Sequence, residues 1–363
     1  MGRKPRTVED MELNRDFWAG RRVFLTGHTG FKGSWMTLVL HRLGALVSGY
    51  ALPPATDPAL YDMAGIDAVM AASTLADIRD ASTFAQAMDA ARPDIVVHMA
   101  AQALVGAGYD DPVGTFSTNV MGTVNLFEAV RALGRPVAVV NVTSDKCYDN
   151  KEWIWPYREN DPMGGRDPYS ASKGCAELVS AAYSASFLGK AGIRLATARA
   201  GNVIGGGDWS EARLVPDALK AFDAGLPLQL RSPGSVRPWQ HVLEPVVGYL
   251  VLAQALAEGR DVADGWNFGP SQSDVRPVGE VVDLLHAALG ASVPAEQAPA
   301  AFHEAGLLTL DSSKARAHLG WRPRWDLETS VAKTAEWHLA VSGGASAQDV
   351  CLSQIDAYLD EAA

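Results

Sequence analysis

From Arg22 onward, short apolar runs alternate with segments whose apolar residues recur at helical spacing. RVFLTG reads as a buried strand, and FKGSWMTLVLHRLG as a helix stopping at Gly44. ALVSGYAL is the next strand. Ser73–Leu75 is a weaker one, followed by the helix DASTFAQAMDAA. The pattern continues with a strand from Asp94 to Ala100, a helix from about Pro112 to Leu133, the strand PVAVVNVTS, the helix DPYSASKGCAELVSAAYSASF and the strand IRLATARAGNV. Strands this rich in Val, Ile and Leu predict a parallel sheet covered on both faces. Right-handed crossovers make such a sheet doubly wound, with ligands at the carboxyl ends of its strands.

The expected architecture is α/β. A polar lead-in spans residues 1–19, a Rossmann-type dinucleotide-binding domain residues 20–202, and a smaller C-terminal α/β lobe for substrate residues 203–363. Pro216, Pro227, Pro233 and Pro238 punctuate the start of that lobe. Helices are expected at about Pro245–Glu258 and Val278–Leu289, with more beyond Asp311. Segments near 240–270, including DGWNFGP, are expected to return to the main sheet.

The bulk numbers narrow the function. A chain of 363 residues with 48% hydrophobic content has ample material for a large core. A net charge of −11 argues against broad binding to nucleic acid or an anionic membrane. The first twenty residues carry no apolar h-region, and Arg6 stands where a myristoylation signal wants Ser or Thr. Apolar windows such as GYLVLAQALA are too short to cross a bilayer. Cys147, Cys175 and Cys351 show no metal-ligand spacing. The expectation is a cytoplasmic protein with reduced thiols and no metal, in which Cys147 is a small buried filler.

TGHTGFKG places Gly27, Gly30 and Gly33 between the first strand and the first helix. In that position they suit a tight turn, close approach of a pyrophosphate and close helix–strand packing, with the helix N-terminus favouring the anion. The loop therefore predicts a dinucleotide site. The second strand ends in SGYALPPATD, with no acid before Asp57, so the residues alone leave NAD and NADP open. Lys32 is either a cation for a phosphate or an exposed first-turn lysine. Asp77 and Ile78, at the third strand end, are placed to meet the adenine.

Tyr169 and Lys173 stand four apart in YSASK, on one face of a predicted helix. A free phenol titrates near about 10, and a neighbouring ammonium lowers that value. The pair thus suits a tyrosine base whose lysine also holds a cofactor ribose. Ser144 or Thr143, at the end of the preceding strand, could hydrogen-bond the substrate hydroxyl. Beside them, Asp145 and Lys146 are either a reactive pair or a surface ion pair.

Together the glycine loop, HMAAQ (His98–Gln102), the strand ending at Ser144 and the Tyr169/Lys173 pair resemble the extended short-chain dehydrogenase/reductase superfamily. FLTGHTGFKGSWM, TSDKCYDNKEW, DPYSASKGCAEL, GNVIGGGDW and RPWQHVLEP resemble its nucleotide-sugar 4,6-dehydratases, most closely those acting on CDP-glucose. The likeness runs from about Val23 to Trp325.

This resemblance implies tightly held NAD, bound by Gly27, Gly30, Phe31, Lys32, Gly33, Asp77, Ile78, Ala100, Ala101, Asn119, Tyr169 and Lys173. It implies a redox-neutral dehydration of a sugar to a 4-keto-6-deoxy product for deoxysugar and O-antigen synthesis. Tyr169 would take the 4-hydroxyl proton and Asp145 would protonate the departing carbon-6 oxygen. Related enzymes carry Glu as the carbon-5 base where this chain has Lys146. Solution lysine titrates near about 10.4, so a lysine base needs burial or nearby cations. Otherwise Lys146 stabilises the enolate while His303 or Glu304 is the base. Gln102, Asn202, Arg213, Arg231 and Arg237 are the implied substrate contacts, the arginines for pyrophosphate and nucleoside. Trp209 and Trp239 could stack on a base, with core packing the plainer reading. A homodimer or higher homo-oligomer is a further expectation of the resemblance. A 4-epimerase, a reductase or a non-catalytic nucleotide sensor would keep the same fold.

Overall fold

The computed structural model describes residues 13–299 and 305–361. His303 and Glu304, the alternative bases, lie outside the described residues. Seven parallel strands form the main sheet: β1 (Arg22–Thr26), β2 (Leu46–Ala51), β3 (Ala72–Leu75), β4 (Ile95–His98), β5 (Ala138–Val142), β6 (Arg194–Ala200) and β10 (Gly265–Phe268). Their order is β3-β2-β1-β4-β5-β6-β10, every pairing parallel. The chain winds outward from β1 in both directions, so the topological switch lies between β1 and β4. This is the doubly wound α/β fold expected from the alternation.

Burial explains the strands. Every residue of β4 and β5 is buried, so both faces of the central strands are covered. Helices Phe31–Arg42 and Leu243–Ala257 belong to one core with β1 and β5, including Trp35, Leu38, Val140 and Leu250. Helices Ala81–Ala91 and Gly122–Ala132 build the opposite core from Phe84, Met88, Leu126 and Phe127. The expected helix from Pro112 to Leu133 contains a π-turn at Ser117–Met121. The strand read as IRLATARAGNV breaks at Gly201, and its end, β7 (Asn202–Ile204), joins another sheet.

The lead-in expected at 1–19 ends sooner. Arg15–Trp18 is one helical turn capped by Asn14, and the Trp18 ring is fully buried in the first core. An indole has too much apolar surface to stay in water when a core is adjacent.

Beyond β6 the chain forms two small sheets, while its last helix, Ala347–Asp360, returns to the first core through Cys351, Ile355 and Tyr358. Strand β9 (Val236–His241) pairs parallel with β7 and antiparallel with β11 (Val275–Pro277). Strand β8 (Leu228–Leu230) pairs with β12 (Ala295–Gln297). A separate core of Val215, Leu219, Trp239, Val281, Leu285 and Val331 supports these strands. The chain then re-enters the main body through helix Leu243–Ala257 and β10.

Candidate active site

The glycine loop closes on itself. Gly27 has φ +78, and a Cβ there would meet the Ala100 backbone nitrogen at 2.9 Å. Thr26 Oγ1 accepts from the Met99 and Ala100 amides, tying the ends of β1 and β4 together. A Cβ on Gly33 would stand 2.0 Å from the Gly27 carbonyl oxygen. Gly30 differs: its φ is −80, and the nearest atom to a Cβ is 3.5 Å away. Nothing in the polypeptide requires glycine at position 30. It caps helix Phe31–Arg42, which has no side-chain cap and no acid in its first turn. Free amides at a helix start, with no Cβ in front, fit a diphosphate.

The neighbouring residues divide in two. Ala101 follows Ala100 in the loop after β4. Asp77 pairs with Arg79 at the exposed end of β3, and Ile78 is buried. Asn119 accepts from the Gln102 amide and donates to the Gln102 carbonyl and Ser172 Oγ. Gln102 in turn donates to Thr115 Oγ1 and accepts from the Leu104 amide. Both side chains brace the loop after β4 against the Tyr169 helix, with their amide groups engaged by protein.

That helix, Pro168–Tyr183, starts with Pro168 at its first turn and Asp167 as cap, accepting from the Ser170 amide at 2.9 Å. It presents Tyr169 and Lys173 toward the end of β5, and both are buried. There Ser144 caps a tight turn, Asp145–Cys147. Ser144 Oγ donates to Asp145 Oδ1 at 2.9 Å, and the Tyr169 hydroxyl bonds to the same Ser144. Phenol, serine and carboxyl therefore form one continuous set. Burial pushes the Asp145 carboxyl up, opposed by the Lys146 charge, the Ser144 hydrogen bond and Arg237. Lys146 sits half-buried on the same turn.

One electrostatic expectation is reversed. Burial pushes the Tyr169 phenol up to about 12, outweighing the Ser144 hydrogen bond and the more distant charge of Arg213. Lys173 does not offset this, because its Nζ is turned to the Val142 carbonyl at 3.4 Å. Burial also pulls Lys173 down to about 8. In a dry site, loss of hydration outweighs an ammonium group aimed elsewhere.

Lys32 is not an exposed first-turn lysine. Its Nζ lies 5.7 Å over the Tyr249 ring, and burial followed by the Arg213 and Lys173 charges pulls it down to about 8. Asp145 and Asp208 oppose that shift. Arg213 pairs with Asp208 at 3.2 Å, and its charge reaches Tyr169 and Lys32. Buried Arg237, on β9, acts on Asp145. Asn202 opens β7, directly after Gly201, where a Cβ would stand 3.2 Å from Asp145 Oδ2. Arg231 donates to the Ala212 carbonyl beside Arg213. Trp239 is packed in the lobe core and donates to the Arg276 carbonyl, as the plainer reading has it. Tyr249 carried no polar signal in the sequence, standing in an apolar helical run.

A parallel doubly wound sheet, a glycine loop at its first crossover and a buried Tyr/Lys helix beside a serine define a short-chain dehydrogenase/reductase-type site. The chain belongs to the nucleotide-sugar dehydratase and epimerase branch of that superfamily: residues 24–334 match the family described as GDP-mannose 4,6 dehydratase. It is 50% identical over 338 residues, covering 90% of this chain and 93% of the other, to the CDP-glucose 4,6-dehydratase of Salmonella typhimurium. A UDP-glucose 4-epimerase of Lacticaseibacillus casei is 27% identical, over 72% of this chain and 82% of that one. Among solved structures, a double mutant of a dTDP-glucose 4,6-dehydratase of Streptomyces venezuelae with NAD and DAU bound matches with TM-score 0.75. It is 26% identical and covers 89% of this chain and 98% of that one. A UDP-glucose-4-epimerase of Stenotrophomonas maltophila with bound NAD and formylated UDP-arabinopyranose matches with TM-score 0.77 and 25% identity, covering 90% and 100%.

Proposed function

We propose that the protein is an NAD-dependent CDP-glucose 4,6-dehydratase, releasing water and a CDP-4-keto-6-deoxyglucose. The observation that carries the reading is the continuous set Tyr169–Ser144–Asp145. A 4-epimerase needs the phenol and serine, but has no use for a buried carboxyl held toward its protonated form. The half-identical CDP-glucose relative supports the same choice over the more distant epimerases.

The residues fit NAD. Gly27, Gly30, Phe31 and Gly33 frame the diphosphate position, with Ala100, Ala101 and Ile78 toward the adenosine side. Tyr169 and Lys173 face the nicotinamide side. When bound, NAD⁺ accepts a hydride from sugar carbon 4 and later returns it to carbon 6.

Everything else falls to side chains. Tyr169 removes the proton of the 4-hydroxyl, with Ser144 orienting that oxygen; the positive charge of bound NAD⁺ would lower the phenol from the about 12 that burial gives it in the free protein. The carbon-4 ketone acidifies the carbon-5 proton. Lys146 removes it, in the role that relatives give to Glu. Asp145 supplies a proton to the carbon-6 oxygen, a role favoured by the burial that pushes its carboxyl up. Arg213 and Arg237 hold the diphosphate, with Arg231 and Asn202 at the nucleoside side. Lys32 adds positive charge where the cofactor and sugar meet. The site works as a homodimer, in the cytoplasm, for deoxysugar synthesis of the O-antigen kind.

The test is turnover of CDP-, dTDP-, GDP- and UDP-glucose, read by mass. Loss of one water from CDP-glucose is expected, and no loss from any of them defeats the reading. In the same assay run in deuterated water, Lys146→Met is expected to lose carbon-5 exchange. Retained exchange would remove Lys146 from the base role.

A further inference from the structure

Helix Leu243–Ala257 carries one tyrosine in its apolar run. The Tyr249 side chain is fully buried, its ring edge-on to Phe268 at 5.5 Å and beneath the Lys32 ammonium. Its hydroxyl has no hydrogen-bond partner. A buried hydroxyl left alone weakens a fold relative to the same ring without it. Phenylalanine would keep every packing contact and lose no bond. The oxygen therefore serves something other than the polypeptide's own stability.

Its surroundings identify what. Tyr249 lies in the electrostatic field of Asp145 and Tyr169, and burial together with both of them keeps its phenol protonated. Asp145 has an unmatched atom of its own: Oδ1 accepts from Ser144, while buried Oδ2 has no partner. Two buried oxygens without a partner, the Tyr249 hydroxyl and Asp145 Oδ2, thus lie within electrostatic reach of one another.

We propose that Tyr249 is a further catalytic residue of the elimination, its hydroxyl donating a hydrogen bond to the oxygen that leaves carbon 6. This rests on the dehydratase reading above. In that step Asp145 gives its proton to the carbon-6 oxygen as the base takes the carbon-5 proton. The carbon–hydrogen electron pair becomes the carbon 5–carbon 6 double bond. The carbon–oxygen pair stays with the oxygen, which departs as water. Negative charge builds on that oxygen before the proton has fully arrived, and a fixed neutral donor in a dry site stabilises it there. Asp145 ends as a buried carboxylate, with the departing water held between its Oδ2 and the phenol.

Tyr249→Phe tests this with two readouts. The free variant is expected to melt at the parental temperature or above it. A quench with borodeuteride labels any 4-ketone, so mass separates ketone that has kept its carbon-6 oxygen from ketone that has lost it. Unlabelled steps before elimination should be unchanged, with KM within about twofold and water loss slowed about tenfold or more, so the undehydrated ketone accumulates. Parental water loss would overturn the proposal. So would a lower melting temperature with ketone formation and water loss falling together, which marks a packing residue. If the parent dehydrates no nucleotide sugar, the function reading fails, and the melting comparison still judges whether the hydroxyl is a cost to the free fold.

Discussion

Gly30 and Gly33 share one loop but are glycines for different reasons. Gly33 is crowded by its own chain, its absent Cβ lying 2.0 Å from the Gly27 carbonyl oxygen. Gly30 has ordinary space and an ordinary φ of −80. Gly33→Ala should therefore destabilise the free protein by about 1–3 kcal/mol. Gly30→Ala should leave the melting temperature alone yet weaken NAD binding about tenfold or more, because only the diphosphate needs that space. Calorimetric titration and thermal melts with and without NAD separate the two. Spacing and place in the strand–helix order put these glycines, Tyr169 and Lys173 forward, while the role expected of Asp145 came only with the family resemblance, because its turn reads equally well as a surface ion pair. The direction of the Tyr169 shift was not legible. It depends on how much water the assembled site excludes and on where Lys173 Nζ points.

At the scale of elements, the active-site turn rests on a buried ion pair. Glu177, one turn beyond Lys173, accepts from Arg199 Nε and NH2 on β6, both at 2.8 Å, and also from Thr143 and Thr197. Arg199 NH1 donates to the Tyr148 hydroxyl at 2.7 Å, and Tyr148 donates on to Asn267 of β10. This network locks β5, β6, β10 and the Tyr169 helix together behind Asp145. Arg199→Met leaves a buried carboxylate unpaired and should cost about 3–5 kcal/mol in chemical denaturation. Adding Glu177→Leu should recover much of that loss. The strands that carry the network were readable as continuous apolar runs. The short helix Val105–Asp110 and the helix Leu214–Ala224 were missed. The first carries two glycines in VGAGYD, and the second lies beyond the glycine-rich GNVIGGGDW, which masks its onset.

For the whole molecule, the adjoining helices Val105–Asp110, Pro112–Phe116 and Pro168–Tyr183 and the π-turn Ser117–Met121 leave apolar side chains in water. Val113 is 78% exposed, Leu178 62%, Met121 51% and Tyr109 46%, which is a surface suited to a second copy of this chain. By light scattering the parent is expected to have dimer mass, and Val113→Glu combined with Leu178→Arg monomer mass. An unchanged mass would move the interface elsewhere.

By itself the sequence determined the parallel sheet and the place of the dinucleotide loop, and it set the turn at Asp145 beside Tyr169 as the candidate reactive one. Each follows from residues near one another in the chain, where periodicity and spacing carry the physics. Only the tertiary structure decided that Lys32 points inward, that Gln102 and Asn119 act as braces, and that Tyr249 reaches the site with an unsatisfied hydroxyl. Those outcomes depend on burial and on partners more than seventy residues away for Lys32 and Tyr249, and desolvation is a property of the assembled fold that no local pattern encodes.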